Sequence, residues 1–301
     1  MLTPGCRRTL RVLLVLCSFV TCAQARDCSS QVDYSTPANV RRFADYLYEE
    51  GDYLGAAGEY QRCAFALGQG GAGVDSLYYR IGICYRLGRR PSESVNFFLR
   101  MTREFPQSGL ADMAYCQAAY SQTLSGKYEE SLSFARANRD RLSSQTARAR
   151  LDAVTALNYL YQRRWDSARN LMASSETDGE PDTLRAFLFD VAEEGRHLPR
   201  KSTFRAGVLS ALIPGLGKVY CGRIVDGLFS LAVTGITAWQ AQRAIDDHGA
   251  SSAESWIYGG LSGGLYLGNV YGSAVAARIY NDSLERNLLQ RADPVVETLF
   301  R

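Results

Sequence analysis

The chain has 301 residues, 46% of them hydrophobic and 22% charged, a globular balance that excludes a disordered chain and confines any membrane character to particular segments. Its 34 basic and 31 acidic residues give a formal charge of +3. Three arginines (Arg7, Arg8 and Arg11) and no acid lie within the first 25 residues, so the remainder is neutral and lacks the electrostatic footprint of a nucleic-acid binder.

Residues 1–25, MLTPGCRRTLRVLLVLCSFVTCAQA, read as a secretory signal peptide: a basic start, an apolar stretch from Val12 to Val20, and Ala23-Gln24-Ala25 as a small-residue cleavage site. Neither Val-Thr-Cys22 nor Val-Leu-Cys17 supplies the pattern expected of a lipoprotein. Removing the leader leaves Cys28, Cys63, Cys84, Cys116 and Cys221, an odd number with no CxxC spacing, which points to neither a zinc site nor a redox pair. Cys63, Cys84 and Cys116 read as small buried residues on helices, with disulfide pairing left open. Residues 26–37 are polar and read as a linker.

From residue 38 the chain repeats itself. FADYLYEEGDYLGAAGEYQRC (43–63) and IGICYRLGRRPSESVNFFLRM (81–101) carry the same order of apolar, small, aromatic and turn positions, and further units follow at 118–138 and 156–172. The first small position falls at 44, 82, 119 and 156, and a second occurs at Ala56 and Ser94. Leu47, Tyr85, Tyr60 and Phe98 are the large residues that fill the space beside them. In the third unit Phe134 displaces the expected aromatic and Ala135 takes its place. This pattern resembles the tetratricopeptide repeat, with Pro106 at the usual closing proline of the second unit. The resemblance implies an all-α fold: an array of about four helix-turn-helix units over 38–198, closed by a capping helix at 182–195. By position in such a repeat, Arg41, Asp45, Tyr48, Tyr79, Arg86 and Tyr120 should face a concave, protein- or peptide-binding groove. The repeats are also similar to the periplasmic lipoprotein of the BamD type in outer-membrane protein assembly, which the poor lipidation pattern argues against.

HLPRKS (197–202) marks a boundary. Residues 199–223, interrupted by Pro214, Gly215 and Gly217, read as an interfacial or re-entrant segment. Two apolar runs, 224–241 and 256–277, each approach the length of a membrane span, which predicts a transmembrane helical hairpin over 224–281 followed by a polar tail at 282–301. Gly260, Gly264, Gly268, Gly272 and Ala276 form a stripe of small residues at intervals of four, the arrangement that lets membrane helices approach closely. Its partner is expected in Gly227, Leu231 and Gly235 of the preceding run, or in a second copy of the chain as a homo-oligomer. Residues 205–281 resemble a bacterial membrane module found in envelope proteins, often behind tetratricopeptide repeats. Asp226 and Asn269 are the polar residues set inside the apolar runs, where such residues pair or act.

No phosphate-loop or HExxH pattern occurs, and Asp246, Asp247 and His248 read as a solvated turn rather than a metal site. The expectation is therefore a non-enzymatic scaffold of the bacterial cell envelope with exported repeats, no metal and no cofactor. A transport or insertion role would require further subunits, since two spans cannot enclose a pathway. The basic residues Arg200, Lys201, Arg205, Lys218 and Arg223 crowd the repeat side of the first span, against the positive-inside tendency.

Overall fold

The structure is a computed structural model that describes residues 35–68, 70–175 and 182–300. The expected signal peptide, Cys28 and all of the linker before residue 35 lie outside the described residues. Every described element is helical. The chain divides into two units at the Arg89/Arg90 turn, within the second of the expected repeats rather than at the 197–202 boundary.

The first unit holds α1 (Pro37–Glu49), α2 (Tyr53–Leu67) and α3 (Val74–Leu87). Thr36 caps α1, its hydroxyl accepting from Asn39 N at 3.4 Å, and Pro37 occupies the first turn, where no backbone donor is required. Asp52 caps α2 in the same way, accepting from Gly55 N at 3.0 Å. α1 packs on α2 and α2 on α3. Ala44, Ala56 and Gly82 are buried at the close approaches, and Tyr60 fills the space beside them with no exposed surface.

The second unit begins with α4 (Pro91–Glu104), α5 (Ala111–Leu124), α6 (Tyr128–Asn138), a short 3-10 turn, α7 (Gln145–Tyr161), α8 (Trp165–Ser174) and α9 (Asp182–Arg196). From α4 to α9 each helix packs on the next, and α5 also meets α7. The small positions recur at Ser94, Ala119, Ser131, Ala156 and Ala168, all buried. Met172 takes the groove-filling place in the fourth unit. Ala135 takes it in the third, while Phe134 is half-buried against Tyr115 with ring centroids 6.1 Å apart. α9 seals against α8 closely: a Cβ on Gly195 would lie 2.2 Å from the Trp165 ring.

The turns that follow α1, α3, α5 and α7 share one backbone conformation. Gly51, Arg89, Gly126 and Arg163 all have positive φ, at 85°, 59°, 74° and 60°. These positions keep the interval of the small residues at 44, 82, 119 and 156. The next amide reaches back to a helix carbonyl, Lys127 N to Gln122 O at 3.0 Å and Arg164 N to Tyr159 O at 2.8 Å, which closes the helix end with a left-handed residue. Gly222, with φ of 84°, makes the same turn before the apolar region, Arg223 N donating to Lys218 O at 2.9 Å.

Beyond α9 come α10 (Thr203–Leu212), α11 (Leu216–Tyr220), α12 (Ile224–His248) and α13 (Ala253–Phe300). α13 is one helix of 48 residues, about 70 Å at 1.5 Å per residue. Its first half packs along α12, and its C-terminal part returns to α7 and α9. Residues 282–300, read from sequence as a polar tail, thus continue α13, with Leu288, Ala292, Val296 and Phe300 all buried in the core of α5, α7, α8 and α9. These four lie at intervals of four, so one stripe of an otherwise polar segment is apolar.

Candidate functional site

Five of the six residues expected to face a groove lie in the first unit. Arg41 is exposed, Asp45, Tyr48 and Tyr79 are half-buried, and Arg86 is buried. Around Arg80, which the sequence reading passed over, the unit gathers an aromatic and charged cluster. Its guanidinium lies 3.6 Å from Asp45 Oδ1 and within 6.0 Å of the Tyr48 and Tyr60 ring centroids. Tyr60 donates to Asp45 at 2.5 Å. Burial raises the Tyr48 phenol above its ordinary value, neighbouring Cys84 and Tyr53 add to this, and Arg80 and Arg86 oppose it. The sequence signal for Arg80 was available but weak: it follows Tyr79 directly, and charged residues on a helix usually face solvent.

Tyr120, in the second unit, is buried and its ring stacks on Phe300 with centroids 4.4 Å apart. Gln117 Nε2 donates to Phe300 O at 3.1 Å, Tyr161 donates to Asp293, and Arg291 pairs with Glu194. Where the sequence reading set Tyr120 on a ligand surface, the chain's own C-terminal helix occupies the place. Glu285, almost fully buried, pairs with Arg163 and, at 3.0 Å, with Arg200, so α13 is also anchored to the α7/α8 turn and to the loop after α9.

The apolar region has the opposite polarity to that core. α12 turns Gly227, Thr234, Thr237, Ala241 and Ala244 inward, and α13 turns Ser255, Asn269, Ser273 and Ala276 inward. Large apolar side chains face outward: Val225, Phe229, Ile236 and Trp239 from α12, Trp256, Ile257, Leu267 and Tyr271 from α13, and Phe204 and Leu212 from α10. Trp256 is 72% and Phe229 70% exposed. In water each such side chain forgoes about 1.5–3 kcal/mol of burial, on the order of 10 kcal/mol or more for the set. Three of the inward hydroxyls are satisfied locally. Thr237 Oγ1 donates to Val233 O at 2.9 Å, Ser273 Oγ to Asn269 O at 2.9 Å, and Ser255 Oγ to Gly249 O at 2.9 Å. Among the described residues α12 alone is both long and apolar enough to cross a membrane, with 22% of its apolar window buried. The many glycines and tyrosines of α13, together with Asn269, dilute its hydropathy.

Pro214 to Gly227 is the tightest packing in this region. A Cβ on Gly217 would lie 1.9 Å from Ala206 O, and one on Gly215 would lie 2.0 Å from Gly227 O. Ser210 Oγ bridges the junction, 2.6 Å from Ser273 Oγ and accepting from Gly217 N at 2.9 Å. These glycines, rather than the stripe on α13, are where backbone meets backbone.

A Cβ on Gly260, Gly264 or Gly268 would meet nothing within 4 Å, and neither would one on Gly235. A Cβ on Gly272 would lie 3.7 Å from Lys218 Cε, and Ala276 is buried. Most of the stripe is thus an open face of α13 within this chain. Asp226 and Asn269 do not pair: Asp226 binds Arg223 at 2.5 Å, and both amide atoms of the buried Asn269 lack a partner. His248 lies 3.3 Å from Glu254, and among the described residues no group of three His, Cys, Asp or Glu side chains could hold a metal. Cys63, Cys84, Cys116 and Cys221 are buried free thiols. Burial pushes Cys84 and Cys116 each up to about 12. The chain matches no protein-family model and no curated protein.

Proposed function

We propose that this chain is a non-enzymatic scaffold of the bacterial cell envelope, in which a tetratricopeptide-type helical array is exported by the N-terminal leader and held at a membrane by α12 and the first half of α13. The observation that carries the reading is the inverted polarity of that hairpin, with glycine, alanine, serine and threonine inside and large apolar side chains outside. Water disfavours such an arrangement, whereas a bilayer rewards it, because lipid tails solvate the outward side chains and small residues let the helices approach. The common interval of the small residues and of the left-handed turns supports the repeat reading. The polar and aromatic cluster around Arg80 offers a surface for a protein or peptide.

α13 gives the tether a mechanical character. One uninterrupted helix runs from the membrane hairpin into the repeat core, so in this reading the second unit is mounted on its anchor and does not hang from a linker. Both ends of the hairpin leave the membrane on the repeat side, and the 249–252 turn lies on the other.

Membranes from cells producing the chain should retain it through an alkaline carbonate wash, and protease added to spheroplasts should digest its repeats. Release by carbonate would remove the tether. Retention with protected repeats would keep the tether and reverse its orientation.

A further inference from the structure

The open end of the α12–α13 hairpin carries cations that the protein itself does not neutralise. Lys201, Arg205, Lys218, Arg223 and Arg278 lie there, and of these Arg223 is matched, by Asp226. The neighbouring acids are already engaged, Glu285 by Arg163 and Arg200 and Asp282 by Arg163 at 3.7 Å. Lys201, Arg205, Lys218 and Arg278 have no carboxylate partner among the described residues. At the other end of the hairpin the balance reverses, with Asp246, Asp247 and Glu254 against Arg243.

The unpaired cations sit on the segments that meet at the open end of the hairpin and make up its collar. Asn281 accepts from Lys201 N at 2.7 Å and donates to Lys201 O at 2.9 Å, which fixes Lys201 beside the α13 turn that bears Arg278. The Lys201 ammonium lies over the rings of Tyr220 and Tyr280, at 4.6 and 5.6 Å. Lys218 reaches from α11 to donate to Ser230 on α12 at 2.6 Å, and a Cβ on Gly272 of α13 would lie 3.7 Å from its Cε. Directly beside these residues begins the outward apolar surface: Phe204 next to Arg205, Ile224 and Val225 after Arg223, and Ile279 next to Arg278. A ring of cations bordering an apolar belt has the arrangement of a bilayer edge, phosphate level above acyl chains.

We propose that this collar binds the headgroups of anionic phospholipids in the leaflet on the repeat side. Lys201, Arg205, Lys218 and Arg278 supply the attraction, and the tyrosines at 220 and 280 hold the Lys201 stem at headgroup depth. The proposal rests on the membrane reading of α12 and α13. It also accounts for why basic residues gather on the side where the repeats lie: they are matched by lipid phosphate and not by protein carboxylate.

The test reconstitutes the full chain into phosphatidylcholine vesicles containing a minority of phosphatidylglycerol, and compares spin-labelled phosphatidylglycerol with spin-labelled phosphatidylcholine at the protein surface. The motionally restricted fraction should favour the anionic label by about threefold or more, and the preference should shrink as salt is raised. The variant K201Q/R205Q/K218Q/R278Q should lose the preference, whereas R243Q at the opposite end should keep it. Wild-type protein that restricts both labels equally would overturn the proposal and leave the membrane reading standing. A chain that does not float with either vesicle would overturn both. The salt dependence of the wild-type chain tests the collar even if the fourfold variant fails to fold.

Discussion

Gly217 and Gly264 are both helical glycines in apolar sequence, yet they have different surroundings. Gly217→Ala would drive a methyl group into the Ala206 carbonyl at 1.9 Å, and should lower the melting point of the purified protein by a destabilisation of at least about 1–3 kcal/mol. Gly264→Ala meets open space and should leave the fold unchanged or stabilise α13 by up to about 1 kcal/mol. Equal effects would contradict the packing described at the PGLG junction. A four-residue period in the sequence located the α13 stripe but could not say what faces it, because periodicity specifies a face and not its neighbour. The cysteines make a second comparison. Burial holds Cys84 and Cys116 as thiols, so at pH 8 the folded chain should resist alkylation at both positions and react only on unfolding, as mass mapping would show. Their folded values lie above the ordinary 9.0, so the stability that this burial contributes is complete below pH 9 and is lost as pH rises towards about 12. Rapid labelling of either residue in the folded protein would contradict its burial.

The all-helical character of residues 37–175 was legible in the sequence, because small residues, turns and large residues recur there at fixed offsets within one stretch of chain. The last turns of α13 were not. Leu288, Ala292, Val296 and Phe300 make a regular apolar stripe, but Asp282, Glu285, Arg286, Arg291 and Asp293 surround it, and what it packs against lies roughly a hundred residues earlier or more. Local pattern cannot supply so distant a partner, which is also why Tyr120 read as a free surface. Phe300→Ala should cost about 3 kcal/mol by leaving a cavity beside Tyr120, and truncation after Asn287 should cost more by opening the core of α5, α7, α8 and α9. Thermal melting of the two variants checks this. Unaltered melting after truncation would mean that the segment is not part of the core. Glu285→Gln belongs to the same element. It leaves Arg163 and Arg200 without their shared carboxylate, and because both arginines are half-exposed the expected loss is about 1–2 kcal/mol rather than that of a fully buried pair.

At the level of the entire chain, one sequence builds two kinds of interior. Helices α4–α9 bury aromatic and aliphatic side chains and expose charge, whereas the α12–α13 hairpin buries small and polar residues and exposes its large apolar ones. α13, a single helix, serves both. The three tryptophans report on this division, since Trp165 is buried among the repeats while Trp239 and Trp256 project from the hairpin. The most direct measurement is fluorescence quenching of the reconstituted full chain by phospholipids brominated along their acyl chains, with Trp165→Phe used to isolate the two hairpin tryptophans. The account predicts strong quenching of Trp239 and Trp256. Emission from both that is insensitive to acyl-chain bromine would contradict it, and would place the exposed apolar face of the hairpin against protein instead of lipid.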